Sequence, residues 1–261
     1  MNILLLVIIF VSGLCLGSFV NMLVYRTAIN YGLEKRKFRV KNNKRSFCDG
    51  CGRQLKLNEN IPVLSWLVQK GNSRCCGKKL SVLYPIVELM MGVLFLMVWL
   101  FGAVYEPLQL ILGFIIVTFL VFSAVFDIRY MILPDFSTII LISSALIFWI
   151  IGRLGDWSYL WSGLASFGFL GLLYLVTQKK GMGLGDVKLA FFMGVFLGKA
   201  VIVAFYIAFI VGAVVALLLV VFKKANRKTL VPFGPFLILG TLVSWFWESQ
   251  LVSLSVFLFI R

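Results

Sequence analysis

The chain has 261 residues, 61% hydrophobic and only 13% charged, with a mean hydropathy of +1.02; a soluble domain is nearer half apolar and a quarter charged, so both an ordinary globular protein and a disordered one are excluded. The formal charge of +15 comes from 25 Lys and Arg against 10 Asp and Glu. In a soluble protein such basicity raises nucleic-acid binding, but in a membrane protein it reports topology first, and no nucleic-acid partner is expected. Histidine is absent, which excludes Ser-His-Asp hydrolysis and histidine-based acid–base or metal chemistry.

A membrane helix needs roughly 20 mostly apolar residues, and eight stretches approach that: 3–24, 86–104, 107–126, 134–151, 158–177, 181–198, 200–222 and 232–259. With the N-terminus outside, the inside loops 26–84, 127–133, 178–188 and 223–231 hold 22 of the 25 basic residues, and only Arg153, Lys199 and Arg261 fall outside. A single crossing over 181–222 would turn Lys223, Lys224, Arg227 and Lys228 outward. The tendency of Lys and Arg to stay inside therefore selects two crossings there. The first stretch lacks a basic n-region and a small-residue cleavage site, so it reads as a retained span. The expected fold class is an all-α polytopic membrane protein of about eight transmembrane helices. Its expected parts are a first helix (1–25), a basic cytoplasmic insert (26–84) and a membrane core (85–261).

The insert carries 14 basic residues against Glu34, Asp49 and Glu59. Anionic lipid headgroups are its simplest partner. It also holds four of the five cysteines: Cys48 and Cys51 in a C-x-x-C turn, then Cys75 and Cys76. Four thiolates suit a tetrahedral structural zinc, which would staple a region too small for its own core. Disulfides and a thiol-redox pair are the alternatives, the first disfavoured by a reducing cytoplasm. Adjacent cysteines are also harder to aim at one ion. Cys15, within the first span, reads as a small packed hydrophobe.

An ionised Asp near hydrocarbon is costly and calls for a reason. Asp127 ends the third apolar run, and Asp186 closes Gly183-Leu184-Gly185-Asp186 at the start of the sixth. Both fall at cytoplasmic helix ends, at one depth. Asp135, next to Pro134, reads as a helix cap. Two carboxylates in one site cannot easily both ionise, which is the requirement of aspartic proteolysis: one takes a proton from water, and its protonated partner polarises the peptide carbonyl. Gly183 and Gly185 would let a peptide backbone approach Asp186. An acidic pair also serves proton-coupled transport, and Cys48/Cys51 would serve a membrane thiol oxidoreductase; both remain alternatives.

These blocks resemble the prepilin peptidases (type IV leader peptidases), a family of GxGD-type membrane aspartic proteases. The resemblance rests on LGSFVNMLVYR (16–26), the cysteine insert, ENIPVLSW (59–66), YPIVEL (84–89), Asp127 with the following LPD, GMGLGDVKL (181–189) and PFGPF (232–236), in the family's order. It implies that Asp127 and Asp186 are the catalytic pair, with Gly183, Gly185 and Lys188 in the supporting signature and PFGPF structural or near the site. The implied substrate is a prepilin or pseudopilin, cut after a Gly ahead of its hydrophobic helix, at the bacterial cytoplasmic (inner) membrane. Contacts to its basic leader would need acids such as Glu34, Glu59 or Glu88. The resemblance further implies methylation of the new N-terminus from S-adenosylmethionine. One departure concerns the second C-x-x-C of the family, where Ser73 stands in place of a cysteine and Cys75 is displaced towards Cys76.

Overall fold

A computed structural model describes residues 2–34, 46–48, 50–102, 106–178, 182–222 and 231–247. Its helices are α1 (Ile3–Asn30), α2 (Leu64–Val68), α3 (Leu83–Phe101), α4 (Pro107–Tyr130), α5 (Asp135–Gly152), α6 (Ser158–Val176), α7 (Leu184–Leu197), α8 (Val201–Val221) and α9 (Gly234–Phe246). Among the described residues there is no strand, and six helical stretches are long and apolar enough to cross a membrane, with α7 and α8 counted together. The chain is an all-helical, multi-pass membrane protein. The basic run at 223–228 and the end of the last predicted stretch lie outside the described residues.

The predicted ends shift for local reasons. α1 begins where Asn2 caps it, its side chain accepting the Leu4 N–H at 3.1 Å, and runs past Arg26 to Asn30. α4 continues one turn beyond the apolar run, so Asp127 is helical, and ends at Met131 in the left-handed conformation. The long stretch over 184–221 breaks at Gly198 (φ +58), whose open side is filled by the Tyr159 ring. Asp135 is not a cap: it is the first residue of α5, Pro134 occupies the cap position, and its carboxylate binds Lys188 instead.

The chain divides into two compact units, residues 1–97 and 98–261. In the first, α1 and α3 meet along small residues. A Cβ on Gly13 would lie 2.7 Å from the Met91 carbonyl oxygen, and one on Gly17 would lie 2.6 Å from the Glu88 Cα. Backbones approach this closely only where side chains are absent.

In the second unit α7 packs against α5, α6 and α9, and α9 against α4 and α8. From Phe192 to Leu197 every residue of α7 is buried, as expected of a helix enclosed by protein. The α6–α7 contact depends on Gly194, where a Cβ would lie 2.3 Å from the Ser162 carbonyl oxygen and 2.6 Å from Gly163. Gly168 of α6, by contrast, faces open space. Gly194→Ala is therefore expected to lower the thermal midpoint in detergent, by the equivalent of about 1–3 kcal/mol of overpacking. Gly168→Ala is expected not to lower it, because Ala is the better helix former. Differential scanning fluorimetry of the pair checks both signs.

Candidate functional site

Three helix ends meet in the second unit. Asp127 lies in the last turn of α4, Asp186 in the first turn of α7, and Gly234 opens α9. Both aspartates are buried, 6% and 7% exposed. The Gly234 N–H donates to Asp127 Oδ2 at 3.1 Å, and the Gly183 N–H donates to Asp186 Oδ2 at 3.1 Å. These are N–H groups that a helix start leaves without intrahelical partners, and they sit at the positive end of its dipole. Each carboxylate thus has one oxygen fixed by a helix N-terminus. A Cβ on Gly234 would lie 2.6 Å from Asp127 Oδ2 and 3.5 Å from Asp186 Oδ1, so these two oxygens are within about 6 Å of each other.

The surrounding signature residues divide. Asp186 does cap its own helix, as a Gly-rich turn ending in Asp suggests, and its second oxygen remains on the side of Asp127. The space beside Gly185 is taken by Leu133, whose Cβ is 2.7 Å from where a Gly185 Cβ would be, while a Cβ on Gly183 would meet nothing closer than Asp186 Oδ2 at 3.6 Å. Gly185 is therefore a packing glycine, and Gly183 leaves room beside Asp186. Lys188 donates to Asp135 Oδ1 at 2.6 Å across an exposed pair. Gly234 as the partner of Asp127 is legible in sequence only as a glycine between prolines in PFGPF.

The first unit holds the thiols. Two turns share one hydrogen-bond pattern. The Cys48 N–H donates to the Arg53 carbonyl at 2.8 Å and the Gly52 N–H to the Cys48 carbonyl at 2.9 Å; the Ser73 N–H donates to the Lys78 carbonyl and the Gly77 N–H to the Ser73 carbonyl, both at 2.8 Å. Gly52 and Gly77 take matching positive φ of 73° and 69°, as a glycine tolerates. In this register Ser73 corresponds to Cys48 and Cys76 to Cys51, while Cys75 occupies the place of Gly50.

Despite that shift, all four Sγ atoms lie within 4.8 Å of one another, with Cys48–Cys76 at 3.6 Å and Cys51–Cys75 at 3.1 Å. Zinc–sulfur bonds of about 2.3 Å set tetrahedral edges of roughly 3.8 Å, so the donor set fits a four-thiolate metal ion. Ser73 Oγ stays against it, 3.1 Å from Cys48 Sγ and 3.0 Å from Cys75 Sγ. Burial opposes ionisation of Cys48, but the Ser73 hydroxyl and the N–H groups of Gly50 and Cys51 outweigh it and bring the thiol down to about 6. Such a thiol is a ready metal ligand.

Two acids of this unit are fixed in place by hydrogen bonds. Glu59 is held below the usual carboxylate range by the Lys56 N–H and by its ion pair with Arg53. Glu88 is buried and accepts the Val63 N–H at 2.8 Å.

Fold and site define a multi-pass helical membrane protein with a buried carboxylate pair at converging helix ends. Residues 11–101 match the model of the bacterial peptidase A24 N-terminal domain, and residues 114–217 match that of the type IV leader peptidase family. The chain is 31% identical over 269 residues to the prepilin leader peptidase/N-methyltransferase of Legionella pneumophila, covering 92% of this chain and 91% of that one. It is 29% identical over 265 residues to the protein of the same name from Stutzerimonas stutzeri, covering 93% and 91%. Against that of Xanthomonas campestris pv. campestris it is 34% identical over 219 residues, covering 77% and 72%. No solved structure matches significantly. The chain belongs to the type IV leader peptidase family.

Because the Lys188–Asp135 pair is exposed, it contributes little to stability. A double-mutant cycle of Lys188→Ala and Asp135→Asn, read by denaturant unfolding, is expected to give a coupling below about 1 kcal/mol.

Proposed function

We propose that the chain is an aspartic endopeptidase that removes the basic leader of type IV prepilins or pseudopilins at the cytoplasmic face of the bacterial inner membrane. The observation that carries this reading is that a Cβ on Gly234 would meet the carboxylates of both Asp127 and Asp186, at 2.6 Å and 3.5 Å. The named relatives and the two family models support it. We place the N-terminus outside and count α7, α8 and α9 as separate crossings, eight in all, which keeps the basic residues inside.

In this reading Asp127 and Asp186 share one proton. The ionised carboxylate takes a proton from a water molecule as its oxygen attacks the scissile carbonyl. The neutral partner donates its O–H to the carbonyl oxygen, where negative charge develops. When the tetrahedral species collapses, the departing amine takes a proton from the pair and the starting state returns. The N–H groups of Gly234 and Gly183 hold the other oxygens still, so geometry is set before substrate arrives. Lys188 acts through its contact with α5 rather than on the reacting atoms.

The four thiolates hold a structural zinc that ties the two turns of the first unit together. The same reading includes N-methylation of the new N-terminus. S-adenosylmethionine would supply the methyl group from its sulfonium, and a cavity of the first unit lined by an arginine, two glutamates and aromatic rings has side chains of the kind that suit such a molecule.

Three outcomes check this reading. Purified protein in detergent, with no ion gradient, is expected to release the leader of a prepilin after its Gly, seen by mass spectrometry of both products; flux that requires a gradient, without cleavage, would instead favour a transporter. Gly234→Ala is expected to cut cleavage by on the order of 100-fold at equal folded concentration, through displacement of Asp127, and to lower the thermal midpoint because the buried carboxylate loses its donor. Elemental analysis is expected to find one zinc per chain, kept in Ser73→Ala and lost in Cys48→Ser. An oxidoreductase would lose its activity in Cys48→Ser and be indifferent to the aspartates.

A further inference from the structure

Among the described residues, the buried side-chain atoms without a hydrogen-bond partner are Asn21 Oδ1, Arg26 Nη2, Trp66 Nε1 and Ser244 Oγ. The first three line a single cavity of about 150 Å³ in the first unit. A buried donor or acceptor left unpaired is costly, and each one in a native structure needs a reason. Three at one void, two from α1 and one from α2, mark a place shaped to receive a polar group. The Asn21 amide is already oriented, because its Nδ2 donates to the Tyr84 carbonyl at 3.2 Å, which leaves Oδ1 to accept.

The cavity's charges define what fits. Arg26, Glu59 and Glu88 all line it. Glu59 is neutralised by Arg53, so Arg26 and Glu88 are the cation and anion left to act on a ligand. Glu88 is held in place by the Val63 N–H. A phosphate-rich ligand would face two carboxylates, and a lipid chain would strand the orphaned polar atoms. A zwitterion satisfies all of them. Its carboxylate accepts from the Arg26 guanidinium and the Trp66 N–H, and its ammonium donates to Glu88 and to Asn21 Oδ1. The rings of Tyr25, Phe47, Trp66 and Tyr84 also line the cavity. Aromatic faces attract a cationic sulfonium and stack on a planar purine.

We propose that this cavity binds S-adenosylmethionine by its amino-acid headgroup, with Arg26 on the carboxylate and Glu88 and Asn21 on the ammonium. The assignment rests on the N-methylation included in the function proposed above. It concerns residues at the end of α1, on α2 and on α3, and none of the four cysteines is among the headgroup ligands.

The test measures binding to the full-length protein in detergent, by calorimetry, of three probes. S-adenosylhomocysteine carries headgroup and adenosine, 5′-methylthioadenosine lacks the headgroup, and methionine lacks the adenosine. Wild-type protein is expected to prefer S-adenosylhomocysteine to methylthioadenosine by about tenfold or more. Arg26→Gln and Glu88→Gln are each expected to remove most of that preference while methylthioadenosine binding stays within about twofold. Hydrogen exchange of the unmutated protein is expected to show protection by S-adenosylhomocysteine in peptides covering 18–26 and 63–69, which does not depend on any variant folding.

The proposal is overturned if both variants keep the full preference, if protection maps elsewhere only, or if methionine alone binds as well as S-adenosylhomocysteine. No binding to the wild type would leave the cavity merely hydrated and would also overturn it. Methylation of the cleaved product, measured on the same preparation, separates the two levels. Product gaining 14 Da with unchanged variant preferences removes the site but keeps the methyltransferase. Cleavage with no added mass removes the methyltransferase itself.

Discussion

Two acidic side chains buried in an apolar bundle are the constraint on which the second unit depends. Burying Asp127 and Asp186 beside each other is unfavourable unless their oxygens are hydrogen-bonded. The bonds come from the free N–H groups at the starts of α7 and α9, given by Gly183 and Gly234. That requirement brings three helix ends to one point. α9 must begin on Asp127, and Gly234 must lack a side chain, because a Cβ there would meet the carboxylate. α7 must sit among α5, α6 and α9, which its glycine contact at Gly194 permits. The carboxylates and the tight helix seams are thus one design.

The first unit answers a different problem. Its polar insert is short of apolar material, and the two turns around Cys48 and Ser73 are closed by their own backbone hydrogen bonds and by converging thiols. The substitution of Ser73 for the expected cysteine does not disperse the cluster, because Cys75 supplies a thiol from the tip of the same turn. The serine hydroxyl is retained as a hydrogen-bond partner that favours the Cys48 thiolate. Beside this cluster the unit keeps polar atoms unpaired at a cavity, a cost that packing alone would not select.

Much of this was legible in the chain. Long apolar runs and the distribution of Lys and Arg carried the helical membrane fold, since the bilayer admits few other solutions. Asp127 and Asp186 stood out because acids are rare at the edge of such runs. The partner of Asp127 was not legible from physics, since a backbone N–H at Gly234 carries no side-chain signal 107 residues away. The fate of Asp135 was missed for a related reason: its neighbour Pro134 suggests a helix start, but the choice between capping and pairing with Lys188 is tertiary. Glu88 within an apolar run and Arg26 at the end of another were visible, and read as leader contacts or topogenic charge. Only the folded unit brings them to one cavity.

The central claim is that Asp127 and Asp186 act as one catalytic unit. Its most direct test is leader cleavage by Asp127→Asn, Asp186→Asn and the double variant, each purified in detergent and compared at equal folded concentration. The expected result is that each single variant falls to the same background as the double, because groups that act together are not additive. A single variant that keeps cleavage within about tenfold of wild type, or losses that simply multiply in the double, would contradict it.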